Sequence, residues 1–442
     1  MCAGSSEEGG WFLTAPLRIG LAGLGTVGLG TYKILQSHGA ALASRCGRAM
    51  TVTAVSARDP SKDRGVDLSD VRWAESVHML TRDPDVDVVV EMIGGADGDA
   101  YDLVRDALEN GKHVVTANKA LIATHGIELA ERAEAKRCTL AFEAAVAGGI
   151  PIIKALREGL VANKVSRIIG ILNGTSNYIL TTMEATNRPF DDVLADAQRL
   201  GYAEADPTFD IDGTDAAHKL SILSSIAFGS EVAFDAVRCE GIQNISPLDF
   251  QYAAEFGYKI KLLAIAEPGQ GGLLQSVHPT FVPAETPMAD IDDVYNAVVV
   301  EGDAVGRTVY EGRGAGEGPT ASAVVADLAD IARGLYQPVF QTPASDLAPY
   351  QQADFELREG KFYIRLSVKD RPGVIAQITR LLADQNVSLQ SILQKGSEKN
   401  GAVSVVLMTH RTTEKAVSQS IADIEALDDV FAPSCLVRVM DE

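Results

Sequence analysis

The chain reads as an α/β protein of several domains, and three observations carry that reading. Apolar runs of buried-strand type alternate with helical spacing from Leu17 to Glu143. A Gly-rich turn separates the first such run from the first helix. The last part of the chain sets strand and helix patterns in the order βαββαβ, a ferredoxin-like arrangement. At 442 residues the chain is also too long for one ordinary core.

Composition narrows the class. With 46% hydrophobic and 22% charged residues it is that of a soluble globular protein. The formal net charge of -21 argues against nucleic acid or an anionic membrane as partner. It leaves room for an anionic cofactor, because phosphate sites rest on local backbone N–H groups. Cys2, Cys46, Cys138, Cys239 and Cys435 are dispersed and form no CxxC pair, which fits reduced thiols in a cytoplasmic protein. The start, MCAGSSEEGGWFLTAP, is polar and acidic where a signal peptide would be basic and then apolar, and reads as a disordered lead-in. No apolar run reaches bilayer-spanning length.

Leu17–Ala22 is the first strand. Gly23-Leu24-Gly25-Thr26-Val27-Gly28 follows it and opens a helix. A GxGxxG between strand and helix fits the dinucleotide-binding fingerprint of the Rossmann fold better than an ordinary Gly-rich β–α turn. Gly23 permits the tight turn, Gly25 lets backbone approach a pyrophosphate, and Gly28 lets the helix pack close to the strand. The second strand, Thr51–Ser56, leads into Arg58, with Lys62 and Arg64 beyond. An acidic residue here would favour a ribose 2′-hydroxyl; a cation suits a 2′-phosphate, so the cofactor is NADP or NAD. Asp87–Ile93 and the run from Lys112 to Lys119 are further strands, ending where an open parallel sheet places its ligands. Lys119 sits at such an end.

Cys138–Glu143 is strand-like and runs into a small, Gly-rich stretch ending at Ile150-Pro151. Its backbone carbonyls and the Glu143 carboxylate are oxygen ligands for a hard cation, or the stretch is a crossover between domains. Val165–Leu172 is a strand ending in Asn173-Gly-Thr-Ser-Asn-Tyr178, either a binding loop or a turn with a helix cap. The window from Gly201 to Lys219 concentrates Glu204, Asp206, Asp210, Asp212, Asp215 and Lys219. Gly201, Pro207 and Gly213 make its first part loop. Ala216, Leu220, Leu223 and Ala227 give helical spacing after about Thr214. Asp215 and Lys219 then lie on one helical face, as an ion pair or as a bracket around one small ligand. A second Gly-rich loop, 312–320, precedes a helix from Ala321 to Gly334.

Residues 341–360 read as a linker. Strands over Phe362–Val368, Val387–Leu393, Ala402–Thr409 and Cys435–Met440 alternate with helices after Gly373 and from Glu414 to Ala426.

Together the motifs GLGTVG, TANKA, EAAVAGGIP, LNGTSNYIL and GYAEADPTFDIDGTDAAHKL resemble homoserine dehydrogenase from about Leu17 to Gly334. The tail resembles an ACT regulatory domain. The expected division is a lead-in at 1–16, a dinucleotide-binding domain at 17–147 with a return helix near 318–340, an α+β substrate and dimerisation domain at 148–317, and the ACT domain at 361–442.

The resemblance implies NAD(P)-linked interconversion of L-homoserine and L-aspartate 4-semialdehyde. It implies Lys219 as proton donor and acceptor, with Lys119 beside the reacting oxygen. It places Glu204 and Asp215 on the substrate, and Gly201 and Gly316 against the cofactor. Glu143, Val146, Gly148 and Ile150 would hold a sodium-like ion, largely through backbone oxygens. A homodimer and an end-product effector such as threonine are also implied.

The residues support that chemistry on their own. Proton transfer and charge stabilisation at the carbonyl oxygen both suit a lysine. Its ordinary pKa of about 10.4 would have to fall for it to act as a base, through desolvation and a second cation such as Lys119. A rival, aspartate-semialdehyde dehydrogenase, needs a thiolate nucleophile, and neither Cys138 nor Cys239 sits in a polar Gly-rich turn. An amino-acid sensor without catalysis is the other rival. The tail is expected to be removable after about Gln341 with activity kept and amino-acid inhibition lost.

Overall fold

The computed structural model describes residues 15–395 and 402–440. The lead-in expected at 1–16 and Cys2 therefore lie almost wholly outside the described residues. The chain divides into two compact units, one of residues 1–162, 225–232 and 313–349, the other of 163–224, 233–312 and 350–442.

The first unit is built on six parallel strands: β1 (Leu17–Ala22), β2 (Met50–Ser56), β3 (Arg72–Trp73), β4 (Val88–Glu91), β5 (His113–Thr116) and β6 (Leu140–Ala141). Their order is β3-β2-β1-β4-β5-β6, so the direction of winding reverses between β1 and β4. That reversal opens a crevice at the carboxyl ends of the strands. The β4 strand is buried on both faces, as continuous Val-Val-Val requires. The return helix, Glu317–Arg333, starts four residues before the expected Ala321. It lies so close to the Thr26–Cys46 helix that a Cβ on Gly30 would come within 2.8 Å of the Glu317 carbonyl oxygen.

The expected strand at Cys138–Glu143 shrinks to Leu140–Ala141, and Glu143–Ala145 forms a single 3-10 turn. The reason is tertiary: the Glu143 N–H donates to Asp327 Oδ2 at 2.9 Å instead of to a ladder partner.

The second unit carries one large sheet. Its substrate-side strands are β7 (Val165–Ile171), β8 (Arg238–Cys239), β9 (Tyr258–Gly269), β10 (Gly272–Pro283), β11 (Tyr295–Gly302) and β12 (Gly306–Arg313). The tail adds β13 (Glu359–Lys369), β14 (Leu389–Lys395), β15 (Ala402–Thr409), the two-residue β16 (Thr412–Thr413) and β17 (Val430–Val439). With helices Val374–Asp384 and Glu414–Glu425 the tail has the expected βαββαβ order. The sheet runs β12-β11-β7-β9-β10-β17-β13-β15-β14 without a break.

The tail is thus joined to the substrate half edge to edge. Thr280 of β10 pairs with Arg438 of β17, and the Met440 N–H donates to the Phe281 carbonyl at 2.9 Å. Met440 packs in the same core cluster as Ile169, Leu263 and Val282. Asp249, fully buried, accepts from Tyr363 Oη at 2.7 Å and from Arg365 Nε at 2.7 Å. Removing the tail would strip that carboxylate of its tyrosine and arginine partners and uncover the apolar surface that β13 and β17 cover.

These contacts speak against a freely removable tail. A chain ending at Gln341 is expected to lose cooperative thermal unfolding, followed by circular dichroism. A truncated protein melting within about 2 °C of the full chain would contradict this, since a loss of 1 kcal/mol alone moves the midpoint by roughly 2–4 °C.

Candidate active site

The Gly-rich turn of the first unit has the geometry its glycines demand. Gly23 has φ +101°, and a Cβ there would lie 2.5 Å from the Met92 carbonyl oxygen. A Cβ on Gly28 would collide with the Gly23 carbonyl, so helix and turn touch only because both are glycine. Gly25 has nothing within 4 Å of where a Cβ would stand, and no side chain caps the helix beginning at Thr26. Its first N–H groups therefore face open space, the arrangement that binds phosphate oxygens.

A cavity of about 240 Å³ lies against this turn, lined by Gly25, Val27, Gly28, Glu91, Gly94 and Asn118 among others. Its far wall is a network that sequence reasoning missed. Buried Glu91 accepts from Thr116 Oγ1 at 2.5 Å and from the Ile93 and Gly94 N–H groups. Thr116 Oγ1 accepts from the Asn118 N–H, and Asn118 caps the next helix by accepting from Leu121 N. Lys119 is the first residue of that helix, Lys119–Ala135, just beyond the end of β5. The lysine was expected inside a strand end; the cap at Asn118 ends the strand first.

In the loop after β2, Arg58 is exposed. Its acidic neighbour Asp59 is turned away into the loop, accepting from Ser61 N at 2.9 Å and Ser61 Oγ at 2.6 Å. Those bonds hold its carboxyl below the usual carboxylate range. Arg64 donates to the Asp59 and Lys62 carbonyls and stacks over Trp73 at 5.4 Å.

The stretch around Glu143 folds back sharply, with Ala147 at φ +55° and Gly148 at φ +47°. A Cβ on Gly148 would collide with the Gly314 carbonyl, so the second Gly-rich loop closes over it. Gly316 ends that loop at φ +115° and precedes the return helix. The Glu143 side chain is committed elsewhere: its two oxygens accept from the Ile153 and Lys154 N–H groups, each at 2.9 Å. A cation here would thus meet backbone oxygens of Glu143, Val146, Gly148 and Ile150 rather than that carboxylate. Among the described residues no group of three His, Cys, Asp or Glu side chains is placed to hold a metal.

The acidic window lies in the second unit. Its first part is not all loop, since Thr208–Ile211 forms one helical turn with Asp206 accepting from Thr208 N and Oγ1. The main helix, Thr214–Phe228, starts as expected, with Asp212 Oδ1 accepting from Thr214 N at 2.8 Å. Lys219 Nζ reaches Asp215 Oδ2 and the Leu172 carbonyl, both at 2.6 Å. Asp215 is 6% exposed.

Asn173 completes the arrangement. It caps the Gly174–Thr186 helix, as the helix-cap reading of this run expects, which leaves the binding-loop reading open. Its Nδ2 also donates to Asp215 Oδ2 at 2.9 Å and to Asp210 Oδ1 at 2.7 Å. Burial, with Asp215 nearby, pushes the Asp210 carboxyl up despite that hydrogen bond. Glu204 is exposed, on the loop that follows Gly201, the left-handed cap (φ +79°) of the Phe190–Leu200 helix. One amine, two carboxylates and an amide thus converge on a single helix end, a set suited to an amino acid and a transferable proton.

Comparison with known proteins shows the family. Residues 151–329 match the family model "Homoserine dehydrogenase", residues 23–143 "Homoserine dehydrogenase, NAD binding domain", and residues 362–429 "ACT domain". The homoserine dehydrogenase of Pseudomonas aeruginosa is 46% identical over 431 residues, covering 96% of this chain and 99% of that one. The solved homoserine dehydrogenase of Thiobacillus denitrificans is 47% identical with TM-score 0.91, covering 96% of this chain and 98% of that one. A hyperthermophilic archaeal homoserine dehydrogenase, solved in complex with NADPH, is 26% identical with TM-score 0.63 and covers 73% of this chain and 99% of that one.

Burial and the Asp327 charge push the Glu143 carboxyl up to about 7, against its two backbone N–H bonds. Between about pH 4.5 and 7 the folded chain then holds a proton that the unfolded chain releases. Stability should fall as pH rises through that window. Melting temperatures of wild type and Glu143→Gln from pH 5 to 8 check this: the variant should have the flatter profile, and parallel profiles would contradict it.

Proposed function

The chain belongs to the homoserine dehydrogenase family, an oxidoreductase with a dinucleotide domain and an ACT domain, and we propose how its residues carry the reaction. Asp215 and Glu204 bind the ammonium group of L-homoserine or L-aspartate 4-semialdehyde. Lys219 moves the proton. Gly23–Gly28 would hold the reduced dinucleotide, which would supply a hydride for the aldehyde carbon. The carbonyl oxygen then takes its proton from the Lys219 ammonium, and the alcohol returns it in the reverse direction. Lys119 stands beside the reacting oxygen and stabilises its developing charge. The observation that carries this reading is the Lys219–Asp215 contact of 2.6 Å on a buried helical turn.

The other assignments are part of the same proposal. Leu24, Thr26 and Val27 complete the phosphate turn, with Gly201 and Gly316 against the cofactor. Exposed Arg58, beside an Asp59 engaged within its own loop, supports NADP as the preferred dinucleotide. The relative solved with NADPH is consistent with that preference. A sodium-like ion fits the reversed turn at Val146–Ile150 through backbone oxygens. Homodimerisation, a cytoplasmic setting and threonine as the ACT effector complete it. Among the described residues no helix is long and apolar enough to cross a membrane.

The test is turnover of L-homoserine with NADP or NAD, followed at the absorbance of the reduced nicotinamide, with and without threonine. Absence of turnover with either cofactor would favour an amino-acid sensor instead. Lys219→Ala should lower kcat by ~10²-fold or more with NADP binding kept. A near-normal kcat would remove Lys219 from proton transfer. Arg58→Glu should raise the KM for NADP by about tenfold or more and leave that for NAD within about twofold, the worth of one lost charge-assisted contact. Equal effects on both would remove Arg58 from 2′-phosphate recognition.

A further inference from the structure

Arg438, in the last strand of the tail, lies far along the chain from the acidic window. Its guanidinium is fully buried. It donates to Glu240 through Nη1 at 2.6 Å and Nη2 at 2.7 Å, and to Glu414 at the start of the last helix. The Phe355 ring lies over it, 5.4 Å from the guanidinium carbon, and also over that of Arg238, at 4.5 Å. Arg358 and Glu267 border the same cluster.

Glu240 stands beside the substrate window. The next residue, Gly241, touches it so closely that a Cβ there would collide with the Ile211 carbonyl and lie 2.9 Å from Asp212 Cα. The Ile242 N–H donates to the Ile211 carbonyl at 3.0 Å. The same helical turn presents Asp210, whose carbonyl accepts from Ser176 Oγ at 2.6 Å and whose carboxylate accepts from Asn173. Asn173 in turn holds Asp215, the partner of Lys219. Every link is a direct contact within one unit.

We infer that Arg438 is a positioning residue for the substrate loop: through Glu240 it seats the Thr208–Asp212 turn against Asn173 and Asp215. The inference rests on the reading of Asp215 and Lys219 given above and makes the tail part of the substrate site's support. Burial alone would weaken the Arg438 charge; its bonds to Glu240 and Glu414 outweigh that and raise its pKa. Glu240 is held below the carboxylate range, against its own burial, by the same pair. Each charge is thus fixed by the other. Anything that shifts β17 must carry Glu240 with it or break two hydrogen bonds of a buried guanidinium.

Steady-state kinetics and melting of Arg438→Met, Glu240→Gln and the double variant test this. Arg438→Met should raise the KM for L-homoserine by about tenfold or more, since displacements near 1 Å at a site cost up to ~10²-fold. The KM for NADP should stay within about twofold. The double variant should be no worse than Arg438→Met alone, because both remove one interaction. A lowered melting temperature with both KM values unchanged would make Arg438 merely structural and overturn the inference. So would an equal rise in both KM values. If Arg438→Met does not fold, Gly241→Ala keeps the test, because it leaves the ion pairs in place and displaces the Ile211 turn directly. Its homoserine KM should rise, and an unchanged value overturns the inference. Wild-type protein that does not turn over homoserine overturns the catalytic reading and this inference with it, whereas an active wild type with unaffected variants sinks only the second.

Discussion

A half-buried ammonium and a buried carboxylate, one helical turn apart, are the constraint on which the second unit's proposed site depends. Either charge left alone in that position would cost several kcal/mol. Asp215 therefore takes both Lys219 and Asn173, and Lys219 also takes the Leu172 carbonyl. In the proposed reaction the substrate's own ammonium would compete with Lys219 for Asp215, an exchange of one cation for another that would free Lys219 for proton transfer.

The same economy governs the first unit. Its proposed phosphate turn would bind through backbone, so what matters there is the absence of side chains. Gly23 and Gly28 bring turn and helix into contact, Gly25 leaves the approach open, and Gly30 lets the return helix close over the first. The polar wall opposite, from Glu91 through Thr116 to Asn118, satisfies every donor it buries. Rigid polar networks of this kind fix the ends of β4 and β5, beyond which Lys119 lies.

Local patterns carried much of this. Leu17–Ala22, the Gly-rich turn, the helix beginning at Thr214 and the βαββαβ tail all follow from periodicity and caps, which neighbouring residues determine. What escaped is what distant residues decide. The strand expected to end at Glu143 stops early because Asp327 takes the Glu143 N–H. Asn173 read as part of a binding loop or as a helix cap, and only folding brings Asp210 and Asp215 to its amide. The tail looked separable because its own pattern is complete; the pairing of β17 with β10 joins two strands with no shared local signal. The Asp215–Lys219 spacing admitted a plain ion pair and a substrate bracket alike; the structure shows the pair, and the bracket belongs to the proposed function.

The central claim is that the substrate's ammonium displaces Lys219 from Asp215 and so readies it for proton transfer. Its most direct test is the NADP-coupled oxidation of L-homoserine beside that of 4-hydroxybutanoate, which has the same alcohol and carboxylate but no ammonium. A site built around a buried polar contact rejects a substrate lacking it by roughly 10⁴-fold or more, and the account predicts a fall of that order in kcat/KM. Comparable turnover of the two alcohols would contradict it.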